Sequence, residues 1–174
     1  MMFHHGTQTL IDAWSLLPDS QRIPSRLSID PAAFGPLLPQ VFVADRTGEG
    51  ARVRFAGGWV ETFHGRPMFG QSWLDLWRPD SRALVVSAVV QAFREARPVA
   101  LVAEARGEGL EIAFAPLRGP DGNPDRLLGL YQPVTPLGRE LKGVTAMNAR
   151  VSIGVGECRR APLVLACRDG LRVA

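Results

Sequence analysis

The chain has 174 residues, 46% hydrophobic and 21% charged, which is the length and composition of one globular domain. That predicts a single ordered core and argues against a disordered chain, a two-domain enzyme, or a sensor fused to its own kinase, cyclase or DNA-binding output. The formal charge of +3 comes almost entirely from arginine. Lys142 is the only lysine, and the arginines are scattered singly beside acidic residues, so no nucleic-acid partner is expected. Cys158 and Cys167 have no zinc or redox spacing and predict a reduced pair. The N-terminus MMFHHGTQTL has no signal-peptide pattern, and no apolar run reaches the roughly 18 residues of a membrane span. A cytoplasmic protein without a membrane span is the expectation.

The first predicted element is an amphipathic helix over TQTLIDAWSLL, with Leu10, Ala13, Trp14 and Leu17 at helical spacing, Thr7 or Thr9 as cap and Pro18 as stop. His4 and His5 before it read as a frayed terminus. Prolines 24, 31, 36 and 39 then pin an extended, apolar connector against the core. VFVAD and RVRFAGG form a hairpin around RTGEGA, with Val53 and Phe55 inward and Arg52 and Arg54 outward. Residues 59–77 hold short helical turns and three of the four tryptophans. PDSRALVVSAVVQAFREARP reads as one good helix, capped by Asp80 or Ser81, with Leu84, Val85, Ala88, Val89, Ala92 and Phe93 on its apolar face and Pro98 closing it. Strands VALVAEAR, GLEIAFAPL and RLLGLYQPV follow. In the tail from Pro136, VSIGVGE and PLVLACRDG read as short strands docked on the sheet or on a second subunit; GVGE at 154–157 lacks the helix and lysine of a phosphate loop. The sum is an α+β domain with one face of its antiparallel sheet covered by helices.

This order resembles the PAS domain family, and in particular short stand-alone bacterial PAS proteins. The resemblance is carried by Trp14 on the leading helix, by RIPSRLSIDPAAFGPLLPQVFVAD at 22–45, and by RVRFAGGWVETFHGRPMFGQSWLDLW at 52–77, including Phe63-His64-Gly65-Arg66. It implies a five-stranded antiparallel sheet covered on one face by short helices and one long helix. Residues 1–40 would form an N-terminal helix and proline-rich cap, 41–135 the PAS core, and 136–174 a C-terminal extension docked on the core or a second subunit. Haem-binding relatives place a histidine on the long helix, and residues 80–97 have none; photoactive flavin relatives and photoactive yellow protein need a cysteine among the short helices, and none is there. Haem and cysteine-bonded flavin are therefore disfavoured and no cofactor is identified. Many linked PAS domains end their last strand in Asp-x-Thr, whereas here Gln132-Pro133 precedes Val134-Thr135, a departure from the usual relay into an output helix.

Trp59, Phe63, Trp73 and Trp77 are either core under the long helix or the apolar wall of a ligand pocket, with Arg54, His64 or Arg66 as its polar contact. Leu10, Trp14 and Leu17 are candidates for a homodimer interface, since one small core is expected to leave them partly uncovered. Glu61 and His64, three residues apart, form the one candidate acid–base pair, but no nucleophile motif or metal-ligand set accompanies them, and a histidine beside Gly65 is more often structural. The expected function is that of a regulatory, sensory PAS protein in bacterial signal transduction. It would not be an enzyme, and would act through a signalling or polarity protein partner and a small-molecule ligand if one binds. The alternatives are a small-molecule sensor or carrier with an apolar pocket and a small acid–base enzyme using Glu61 and His64.

Overall fold

The computed structural model describes residues 3–18, 22–48, 50–134, 141–156, 167–168 and 171–172. Helix α1 (His5–Ser15) leads through short helical turns, the longest at Pro31–Gln40, into strands β1 (Val41–Thr47) and β2 (Gly50–Ala56). Helices α2 (Gly58–His64) and α3 (Arg82–Glu95) follow, then β3 (Val99–Ala105), β4 (Glu108–Arg118), β5 (Pro124–Pro133) and β6 (Asn148–Gly154). Cys167–Arg168 and Leu171–Arg172 pair as two short strands; Cys158 and most of PLVLACRDG lie outside the described residues.

The main sheet has the order β2-β1-β5-β4-β3-β6, antiparallel throughout. Pairing of β1 with β5 joins the two predicted strand groups into one sheet. The sixth strand departs from the five expected: VSIG, with Asn148, Ala149 and Arg150 before it, extends the sheet at β3.

Strand alternation sends two sets of side chains to two faces. Leu110, Ile112 and Phe114 of β4 point inward, under α3 residues Val85, Ala88, Val89, Ala92 and Phe93. Ala113, Ala115 and Leu117 point outward and pack on Leu10 and Trp14 of α1 and Phe34 of the proline-rich segment. Both faces are thus covered, which corrects the expectation of one. The small Ala113 and Ala115 let α1 sit close, and Trp14 Nε1 donates to the Pro116 carbonyl at 2.8 Å.

The start of α1 is held by the sheet, not by its own threonines. The His4 amide donates to Glu111 Oε2 at 3.0 Å, the His4 ring nitrogen Nδ1 meets Glu111 Oε1 at 2.8 Å, and the Gly6 amide donates to Gln132 Oε1 at 2.7 Å. His4 is therefore a cap residue rather than a frayed end, Thr7 is buried inside the helix, and the helix stops at Ser15 before Pro18 is reached. A carboxylate there also suits the positive end of the helix dipole. Burial opposes the charge of Glu111, yet the nearby Thr7 hydroxyl and the two His4 hydrogen bonds outweigh it and hold the carboxyl below its ordinary range.

One more expectation shifts in the hairpin. Val43 pairs with Phe55 but Ala44 pairs with Val53, so Arg54 is an extra residue in β2. The bulge reverses the alternation beyond it and turns Phe55 outward, where it is 48% exposed, while Val53 stays buried.

Glu111→Gln keeps the shape of the α1 anchor and removes its charge. It should cost about 1–2 kcal/mol of stability and speed amide hydrogen exchange in α1 well before it does so in β4. Unchanged exchange in α1 would mean that Glu111 does not anchor the helix.

Candidate functional site

The inner face between β1, β5, α2 and the turns that follow it holds most of the sequence-predicted site residues. Phe63, Trp73 and Trp77 are each 1% exposed, His64 is buried, and Trp59 is partly buried against them. Trp59 stacks on Phe63 at 5.1 Å between ring centroids, Trp73 meets Phe42 at 5.4 Å and Trp77 at 5.5 Å, and Phe63 meets Tyr131 edge-on at 5.7 Å. Rings touching at these distances fill the space. Phe63, Trp73 and Trp77 belong to the buried inner core, with Trp59 packed against it.

Arg54 and Arg66 are not brought to this face. Arg54 pairs with Asp45 at 2.7 Å, and Arg126 reaches the same carboxylate at 2.9 Å. Arg66 is exposed just beyond α2. Glu61 does not orient His64, because its Oε1 accepts the Met68 amide at 3.0 Å. Leu10 and Trp14 are buried against their own sheet, and Leu17 is partly buried beside them, so the uncovered stripe expected for dimerisation is filled within the chain.

Sequence reasoning passed over Tyr131, the only tyrosine in the chain, whose hydroxyl organises the site. Trp73 Nε1–H donates to that hydroxyl at 3.0 Å, the hydroxyl lies 3.2 Å from His64 Nε2, and His64 Nδ1 lies 3.0 Å from the Val144 carbonyl. With the ring kept neutral by burial, only one assignment of protons satisfies all three contacts. An indole can only donate, so the phenol oxygen accepts from Trp73 and its own hydrogen goes to Nε2; a carbonyl can only accept, so Nδ1 carries the ring hydrogen. His64 is therefore the neutral Nδ1–H tautomer. Burial, partly offset by the Val144 hydrogen bond and aided by the nearby Arg66 charge, depresses its pKa to about 4. Burial likewise pushes the Tyr131 phenol well above its ordinary range. Both groups are uncharged at neutral pH, and this chain of neutral hydrogen bonds has no spare acid or base.

Residues 141–149 form a segment that the sequence left vague. Leu141, Val144, Met147 and Ala149 join the inner core, and the Val144 amide donates to the Phe63 carbonyl at 2.8 Å. Ser81 stands at the N-cap of α3 as expected, but its hydroxyl makes no capping bond and donates to Asn148 Oδ1 at 2.7 Å while accepting the Ala149 amide at 3.0 Å. Gly65, at φ 67°, must be glycine twice over, since a Cβ there would also lie 2.8 Å from Gly143 Cα. His64 and Gly65 thus serve the seam between α2 and the C-terminal segment.

The profile of a family described as PAS domain matches residues 2–132. The chain belongs to the PAS domain family. Its role is accordingly that of a sensory, regulatory module, and β6 adds a strand to the PAS sheet from beyond the matched residues. A search of curated proteins returns no match. Among solved structures, a light-oxygen-voltage domain studied with a flavin analogue is similar at 17% identity and a TM-score of 0.47, over 60% of this chain and 84% of that one. The Rhodobacter sphaeroides LOV protein is similar at 19% identity and a TM-score of 0.45, over 56% and 60%. The light-state LOV domain of Aureochrome1 is similar at 16% identity and a TM-score of 0.44, over 56% and 83%.

The tautomer assignment fixes a pH dependence. A histidine whose pKa falls from 6.5 unfolded to about 4 folded binds its proton more readily when unfolded. Its contribution is therefore complete above pH 6.5 and drains away as pH falls toward 4, by about 3 kcal/mol in all. The lowered Glu111 carboxyl acts below the ordinary carboxylate range, and comparison with a His64 variant cancels what the two proteins share, His4 and His5 included. Chemical denaturation from pH 6.5 toward 4 should show the loss in the native protein and a flatter profile in His64→Gln. Parallel profiles would refute the assignment.

Proposed function

We propose that this PAS protein is a regulatory component of bacterial signal transduction that is not itself an enzyme. In this reading it works in the cytoplasm by binding a signalling or polarity protein. The observation that carries the reading is the filled inner face: where a PAS sensor would hold a ligand or cofactor, Trp59, Phe63, Trp73 and Tyr131 touch one another. The neutral, fully engaged His64 argues in the same direction, against acid–base catalysis with Glu61. Among the described residues no helix is long and apolar enough to cross a membrane.

Exposed apolar side chains support an interaction surface. Leu16 is 85% exposed at the end of α1 and Leu27 is 80% exposed in the proline-rich segment. A contiguous apolar patch, not a lone side chain, marks an interaction site, and Leu16 lines one surface pocket with Ala13, Leu17, Ile29 and Phe34. A homodimer belongs to the same proposal; with Leu10 and Trp14 engaged in their own chain, Leu16 is the exposed apolar side chain that α1 offers to it.

The test is affinity capture from the native cell with the wild-type chain and a Leu16→Asp, Leu27→Asp variant, both checked for folding by circular dichroism. A specific protein captured by the wild type and lost by at least about tenfold, roughly 1.4 kcal/mol of binding, in the variant is expected. Equal capture by both, or none by either, would overturn the reading. Sedimentation of the same pair separates self-association from binding to a different protein.

A further inference from the structure

The inner-face register of β1 runs through Phe42 and Ala44 to Arg46, so the arginine leaves the rim of the core beside α3. Its guanidinium lies over the Phe93 ring, 4.7 Å from the centroid. Among the described residues no carboxylate pairs with it, in contrast to Arg54, Arg97, Arg126 and Arg150, which all do pair. Stacking on an aromatic face fixes the plane of a guanidinium and leaves its in-plane N–H fork free for an acceptor.

Beside this cation opens a cleft of about 350 Å³ between the hairpin end and α3, bordered by Arg46, Thr47, Gly50, Val86, Val89 and Val90. Val89 is buried, while Val90 is 43% exposed, an apolar side chain at a cleft wall with nothing over it. We propose that this cleft binds a small branched aliphatic monocarboxylate, its carboxylate on the Arg46 fork and the Thr47 hydroxyl and its hydrocarbon on the three valines. Among the described lining residues Arg46 is the one charged group, and its planar fork matches the two oxygens of a single carboxylate. An apolar wall selects a ligand with a hydrocarbon body. The volume lies at the small end of small-molecule sites and is too little for a docked polypeptide segment.

The inference deepens the sensory reading and rests on it only for what binding achieves; the site lies outside the filled inner face. Titration of the full chain, followed by ¹⁵N–¹H and methyl NMR, tests it with isovalerate, with the uncharged 3-methylbutanol, and with acetate, which lacks the hydrocarbon body. Saturable shifts at Arg46, Thr47 and the three valines are expected with isovalerate in the millimolar range of so small a ligand. The alcohol and acetate should bind at least about tenfold more weakly. Arg46→Gln should remove isovalerate binding and Arg46→Lys retain part of it. Should Arg46→Gln disturb packing on Phe93, Val90→Asp gives an independent check, since it places a negative charge at an exposed cleft wall and should abolish binding in a folded chain. Absence of saturable shifts, shifts centred elsewhere, equal binding of the alcohol, or binding that survives Arg46→Gln and Val90→Asp would overturn the proposal. Partner capture reads signalling and this titration reads ligand binding, so failure of one is distinguishable from failure of the other.

Discussion

The hydroxyl of Tyr131 is where the strands, the helical layer and the C-terminal segment come under one constraint. It sits on β5 in the middle of the sheet, takes the indole hydrogen of Trp73, and passes its own to His64, which hands its remaining hydrogen to Val144. With the imidazole neutral, each link has one polarity, set by what an indole and a carbonyl can do. A buried network with every member satisfied specifies one arrangement more sharply than apolar packing alone, because any slip leaves a donor or acceptor without a partner in a medium that cannot solvate it. The aromatics around it are fixed by the same logic: Trp73 cannot turn away from Tyr131 without orphaning its N–H, and the rings of Phe42, Phe63 and Trp77 are packed against that pair.

The outer face follows a different rule. Small alanines on β4 and the leucines of β5 leave a shallow apolar surface, and α1 closes it with Leu10 and Trp14. What holds the helix in register is polar: Glu111 and Gln132 reach out of an otherwise apolar sheet to bond two amides at the helix start. The apolar contacts supply most of the attraction and say little about position, whereas two hydrogen bonds to a helix terminus define where the first turn lies. One sheet thus has an inner face ordered by a neutral hydrogen-bond chain and an outer face ordered by a charged cap.

These two devices also explain what could be read in advance. The strands, the two main helices and the PAS order were legible because period-2 and period-3.6 patterns are local properties of the chain. The extra residue at Arg54 was not, because a bulge leaves the sequence alternating while the pairing shifts, and Phe55 moves to the other face with no local mark. The cap of α1 was misassigned to Thr7 or Thr9 because the true partners lie more than a hundred residues away on β4 and β5. Among the candidate site residues the aromatic cluster was legible, while its role stayed open between core and ligand wall. Trp59, Phe63, Trp73 and Trp77 do cluster, but whether a cluster encloses a void or fills it depends on Tyr131, a residue contributed by another strand.

The C-terminal segment turns that filling into a mechanical constraint. It bonds α2 through Val144, the turn before α3 through Met147 with Leu76 and Arg78, and the start of α3 through Asn148 and Ala149 with Ser81, before continuing as β6 on the edge of β3. The helical layer and the sheet edge are therefore tied in series by one short stretch of backbone. Neither α2 nor α3 can move relative to the sheet without breaking a bond to this stretch or carrying the edge strand along. A PAS fold whose interior holds a ligand can register its arrival by a shift of the helices over the sheet. Here the interior rings and the strap oppose such a shift together, so the groups able to respond at low cost are those outside the bonded chain: the rim at Arg46 and Val90, and the exposed apolar side chains at Leu16 and Leu27.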